Sequence, residues 1–135
     1  MRPISTTAGG QCVAMGDVCN VPSSAGPIPT PFVNIARCTD AAAATASQKV
    51  KVGGRAVLTA SSEIARSSGD EPGTLGGVVS GTFMGVVRYR AGGEKVFVEG
   101  SEAVAHLAST THNGQSANAP SGVQVGPSQT KVFLR

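Results

Sequence analysis

Apolar and polar residues alternate over three short stretches of this chain, and each stretch carries the same phrase. Lys49-Val50-Lys51-Val52-Gly53-Gly54 precedes Ala56-Val57, and Lys95-Val96-Phe97-Val98-Glu99-Gly100 precedes Ala103-Val104. A fragment returns as Lys131-Val132-Phe133-Leu134. A period of two places every second side chain on one face of a strand, so each copy predicts a strand with a valine-rich face. The glycines that close the first two copies allow tight turns. Units this small cannot each enclose a core and are expected to pack on one another. Between the copies, residues 67–81 hold too much glycine for a helix.

Outside this frame the pattern is weaker. Ser5-Thr6-Thr7-Ala8-Gly9-Gly10 is echoed by Ser109-Thr110-Thr111-His112-Asn113-Gly114, which suggests related turns near the two ends. Pro22, Pro27, Pro29 and Pro31 fix φ and remove donors, predicting an extended arm anchored by Phe32 and Ile35. Residues 39–47, with Ala41 to Ala44 and a Thr39 or Asp40 cap, form the one helical candidate, either a surface turn or two turns of helix. Residues 49–60 read as a strand pair and 82–90 as a strand with a bulge at Gly85. Residues 91–94 read as a turn, 123–125 as a brief strand, and 131–134 as the closing strand. The fold class is all-β, in a single domain spanning residues 1–135.

Composition sharpens this picture. Aromatic residues are 4% of the chain, without Trp, while Gly contributes 18 residues. Aromatic side chains normally supply much of a core, so small side chains and closely approaching backbones are expected instead. The net charge of +3 is scattered and not interleaved with aromatics, which argues against nucleic acid. No apolar run approaches the ~18 residues of a membrane span, and residues 1–6 lack the apolar core of a signal peptide. Synthesis in the cytosol, without the general secretory route, is therefore expected.

Three Cys cannot form a complete disulfide framework. Cys12 and Cys19, with His106 and His112, offer the donor types of a tetrahedral zinc site, although their spacing matches no zinc-finger pattern. The plainer alternative is small buried thiols and hydrogen-bonded histidines. Asp70 and Glu71 are neighbours that point to opposite faces of an extended chain, so they do not form an acid–base pair. No Gly-x-Ser-x-Gly elbow and no lysine-bearing phosphate loop occurs. No catalytic constellation is found, and an enzyme is not expected.

Several phrases together carry a resemblance: Met15-Gly16-Asp17-Val18-Cys19; Gly26-Pro27-Ile28-Pro29-Thr30-Pro31 through Asn34-Ile35-Ala36; Ser68-Gly69-Asp70-Glu71-Pro72-Gly73 through Gly76-Gly77-Val78-Val79-Ser80-Gly81; Thr110-Thr111-His112-Asn113; and Asn118-Ala119-Pro120. The chain resembles the PAAR-like (DUF4150) family of contractile injection machines. The resemblance implies a small pseudo-threefold cone of short strands that caps a trimeric VgrG-type spike, one copy per trimer, and sharpens it for membrane puncture. It also implies a zinc ion near the apex, with Cys19, His106 and His112 as ligands and Cys12 as the fourth. The usual set has three His and one Cys, and this chain has only two His. The other reading is a zinc-stabilised adaptor that recruits a separate effector to the spike. The expected location is the cytosol during assembly, then export at the tip of the apparatus with transient contact with the target membrane.

Overall fold

A computed structural model describes residues 2–90, 92 and 96–134 of the chain. Strand β1 (Arg2–Pro3) is followed by two long strands, β2 (Gln11–Val21) and β3 (Ile28–Arg37), which pair as a hairpin. Single 3-10 turns at Cys38–Asp40 and Ala43–Thr45 follow. Then come β4 (Lys51–Val52), β5 (Arg55–Ala56), β6 (Glu63–Ile64), β7 (Val87–Tyr89), β8 (Phe97–Val98) and β9 (Ser101–Glu102). The chain ends in β10 (Ser109–His112), β11 (Ala119–Gln124) and β12 (Phe133–Leu134). An antiparallel sheet has the order β3-β2-β11-β10-β7-β6, and β4–β5, β8–β9 and β12–β1 form three short ribbons. The fold is all-β, as expected.

The three repeated phrases become the three ribbons of one ring. Each ribbon leads into a segment that hydrogen-bonds the next: Leu58 N donates to Ser5 O, Val104 N to Leu58 O, and Ser5 N to Val104 O, at 2.9, 3.2 and 2.9 Å. The relation recurs one rung away, with Thr7 N on Ala56 O, Ala60 N on Glu102 O and His106 N on Pro3 O. Within each ribbon Val57, Ala103 and Ile4 donate to the carbonyls of Val50, Val96 and Val132. This is a closed pseudo-threefold arrangement whose third unit is assembled from both ends of the chain. In the first two ribbons the turn residues, Gly53-Gly54 and Glu99-Gly100, all have positive φ, the conformation that tight two-residue hairpins require.

Ring residues alternate between two cores. Ile4, Val57, Val98, Ala103, Ala105 and Leu134 pack together on one side. Leu58 and Val104 join Cys12, Ala36, Cys38, Ile64, Val87 and Tyr89 in the larger cluster. From there β2 runs from Cys12 to a third interior region, at Asp17 and Cys19, that is polar.

Several local expectations change. The proline segment is not a free-running arm but the edge strand β3, where proline removes donors that would invite another strand. Its anchors Phe32 and Ile35 are half-buried. Of the two forms expected for the alanine stretch the structure has the turn, a 3-10 turn at Ala43–Thr45, because four alanines flanked by Asp40 and Thr45 do not nucleate an α-helix. Only Val87–Tyr89 of residues 82–90 is strand. Ser5 lies in the ring while Ser109 begins β10, so the Ser-Thr-Thr echo does not mark equivalent turns. The expected turn at residues 91–94 falls outside the described residues, apart from Gly92.

Candidate functional site

Five separated phrases of the sequence meet in the polar interior. A bulge between Ala14 and Asp17, with Gly16 at φ 78°, turns Asp17 inward from β2 and leaves Cys19 beside it. Asn34 comes from the facing strand β3. Asp70 is delivered by a loop that pairs with β3 through Ser68 and Ile35. Asn113 follows β10 in a left-handed conformation (φ 60°), and Asn118 precedes β11. All six residues are buried, Asp17, Cys19, Asn34, Asp70 and Asn113 completely.

Amide groups surround the acids. Asn113 Nδ2 donates to Asp17 Oδ1 at 3.0 Å, and Asn118 Nδ2 donates to the same oxygen at 2.5 Å. Asn34 Nδ2 donates to Asp17 Oδ2 at 3.2 Å and to Asp70 Oδ2 at 3.4 Å. The Met84 N–H spans both oxygens of Asp70, at 3.0 and 3.2 Å. The Cys19 thiol faces Asp17 Oδ1 at 3.6 Å and Asp70 Oδ2 at 3.8 Å. Among the described residues the single salt bridge is Arg88–Glu63, away from this cluster. The carboxyls are thus satisfied by neutral donors, as buried polar groups must be.

One proton serves both acids. Burial, with the hydrogen bond and charge of Asp17, raises the Asp70 carboxyl to about 7. Burial pushes Asp17 upward too, but hydrogen bonds from Asp70, Asn118 and Asn113 prevail and hold it below the usual carboxylate range. Asp17 is therefore the anion and Asp70 the acid near neutrality. Burial and the two nearby carboxyls push the Cys19 thiol up to about 12, so it stays protonated.

The residues singled out from the sequence lie in three places. Cys19 is in the cluster. His112 borders it, with Nδ1 2.7 Å from Asn34 Oδ1 and Nε2 2.9 Å from Thr110 Oγ1. Cys12 belongs to the hydrophobic body, facing Tyr89. His106 belongs to the ring, with Nε2 2.9 Å from the Val125 carbonyl. The four are not brought together. Sequence reasoning did not single out Asp17, Asn34, Asn113 and Asn118 as a site, although the phrases behind the resemblance contain every one of them.

Residues 10–120 match the family model of the toxin PAAR-like domain. The chain belongs to the toxin PAAR-like domain family. No curated protein and no solved structure matches it. The PAAR-like match begins just before β2 and ends within β11, so it contains the whole acid–amide cluster.

The metal that the resemblance implies has a candidate donor set in this cluster. Asp17, Cys19 and Asp70 offer ligand atoms that all lie within 4.8 Å of one another. Zinc takes both sulfur and oxygen, and a zinc tetrahedron has S···O edges of about 3.5 Å. The S···O separations of 3.6 and 3.8 Å match that edge. A cation would replace the protons now held by Cys19 and Asp70, with Asn34, Asn113 and Asn118 left to orient the carboxyls as outer partners. The triad fits a metal; His112 does not join it, because both ring nitrogens are engaged elsewhere.

Proposed function

We propose that this protein is a structural, non-enzymatic spike tip that caps a trimeric VgrG-type spike, one copy per trimer. The observation that carries the proposal is the ring. Its three related units expose equivalent residues, Val50, Val96 and Val132, at 36% to 41% of their surface. Phe97 and Phe133, at matching positions of two ribbons, are exposed as well. A threefold spike end presents three identical edges, and a pseudo-threefold apolar rim is the surface that meets all three at once. Opposite faces of the ring segments are already committed to the two cores, which leaves the rim for the partner. Assembly would take place in the cytosol, with export at the tip and transient contact with the target membrane.

Zinc is part of this proposal. Asp17, Cys19 and Asp70 would hold it, and a bound ion would supply ligation energy to a region that has little hydrophobic core. Cys12, His106 and His112 then serve the fold.

A second reading, an adaptor for a separate effector, is favoured by a different surface. Leu75, Val78 and Val79 are exposed on the loop that pairs with β2.

The test is to mix the protein with trimeric spike proteins and measure stoichiometry by light scattering. The expected result is one copy per trimer, lost in Val50→Glu and Val132→Glu variants that keep the wild-type melting temperature. A stable homotrimer indifferent to every spike would refute the capping role. Effector binding that survives Val132→Glu but not Val79→Glu would favour the adaptor.

A further inference from the structure

We propose that Cys12 and Cys38 are a dithiol that closes to an intramolecular disulfide when the folded protein meets a disulfide oxidant. Both thiols are free and fully buried in the larger hydrophobic cluster. Their sulfurs converge on one atom, with Tyr89 Oη 3.9 Å from Cys12 Sγ and 3.5 Å from Cys38 Sγ. The ladder explains the convergence. Cys12 faces Ala36 across β2 and β3, and Cys38 N donates to Gly10 O at 3.0 Å, so the two cysteines are diagonal neighbours on one face. Both side chains are short, and the hydrogen bond between the two thiols is what sets their sulfurs side by side. Cys38 also begins a 3-10 turn, one residue past the end of β3. Tyr89 Oη donates to Gln124 Oε1 at 2.8 Å, which leaves its lone pairs facing the thiols.

The pair is asymmetric in the way that thiol exchange uses. A hydrogen bond from Cys12, helped by Tyr89 and Ser128, pulls the Cys38 thiol down to about 7. The bond with Cys38, together with burial, raises Cys12 well above the ordinary thiol range. Cys38 is therefore the attacking group and Cys12 the resolving one. An open depression lined by Gly10, Gln11, Arg37, Thr39, Gly126 and Pro127 includes the residue before Cys12 and both neighbours of Cys38. It gives an oxidant an approach from the side of the loop that carries Ser128.

With oxidised glutathione as oxidant, the Cys38 thiolate attacks one glutathione sulfur, forming a mixed disulfide and releasing one glutathione thiolate. Cys12 then attacks Cys38 Sγ, releasing the second. Two electrons pass to glutathione, and the two thiol protons end on the two glutathione thiols. Cys19 takes no part, since its thiol is held protonated between Asp17 and Asp70. The protein would be a dithiol in a reducing compartment and bridged in an oxidising one, with the end of β3 tied to the start of β2.

The test is to treat the folded, reduced protein with oxidised glutathione and follow intact mass, peptide linkage and tyrosine fluorescence. The expected result is a loss of two hydrogens, a Cys12–Cys38 linked peptide, and reversal by dithiothreitol. Tyr89 is the only tyrosine and there is no tryptophan, so its emission reports the site directly. Cys19→Ser should close normally, whereas Cys12→Ser should stop at a glutathione adduct on Cys38. Three persistent thiols in the wild-type protein, closure only after denaturation, or a bridge to Cys19 would each overturn the proposal, whether or not any variant folds.

Discussion

Asn34 and His112 are joined across 78 residues of chain by a 2.7 Å hydrogen bond between Oδ1 and Nδ1. That bond fixes the Asn34 amide so that its Nδ2 faces both acids of the cluster. Burial keeps His112 neutral, lowering the ring to about 4 from an ordinary 6.5 against the opposing charge of Asp17. Between these values the unfolded chain binds a proton that the folded chain refuses, so this group's contribution falls as pH drops from 6.5 to 4. The loss amounts to about 3 kcal/mol. Asp70, with its raised carboxyl, has the opposite slope, favouring the fold as pH falls below about 7. Urea melts of wild type and His112→Gln at several pH values separate the two. The wild type should be nearly flat between pH 6.5 and 4, where the two slopes oppose, and the variant should gain stability as pH falls.

Asp17 and Asp70 should respond differently to the same substitution. Asp17 accepts from Asn113, Asn118 and Asn34, so Asp17→Asn turns an amide donor toward amide donors and should cost roughly 3 kcal/mol. Asp70 already carries the shared proton, and Asp70→Asn can keep its acceptor toward Met84 N and donate to Asp17. It should cost under about 1 kcal/mol at pH 7. Chemical denaturation with a chelator present checks both; equal losses would mean that the proton is not shared in this way.

Two glycines support the cluster sterically. A Cβ on Gly69, at φ 114°, would stand 1.9 Å from the Val33 carbonyl oxygen, and one on Gly77 would stand 2.3 Å from Asn118 Cγ. Gly69→Ala should therefore cost about 3 kcal/mol or more, through both strain and displacement of the strand carrying Asn34. Gly77→Ala should move Asn118 off Asp17. Denaturation midpoints against Gly53→Ala, where a Cβ meets nothing within 4 Å, provide the comparison.

Elemental analysis tests the metal. Zinc should copurify at one ion per chain and be lost in Cys19→Ser and Asp70→Ala. It should persist in Cys12→Ser and His106→Ala. The reverse pattern would return the site to the set read from the sequence.

The ring was legible in part because period-2 alternation and glycine turns are local signals: the repeated phrase predicted strands packed on one another, and the resemblance implied the threefold arrangement. β2, the longest strand, was not, because Gly16 and the bulge at Asp17 break its alternation. The site was obscured for a related reason. Cysteine and histidine drew attention as metal donors, yet Cys12, His106 and His112 went to the body, the ring and the rim of the cluster. Asparagine carries no such signal, since its function here as a buried donor depends on partners 17 to 101 residues away.

The ring also imposes an order in time. Thr59 can bridge Ala103 as soon as both segments exist, but Ile4 must find Ala105 and Arg2 must find Leu134 across nearly the whole chain. Contacts of such separation form late and slowly. Until they form, two units stand joined with a gap one strand wide, and the free edges beside it can accept any strand of matching pattern. The nearest such strand during crowded synthesis is the β12 phrase of a neighbouring copy. Closure is therefore a race between the chain's own two ends and those of its neighbours, and dilution favours the former.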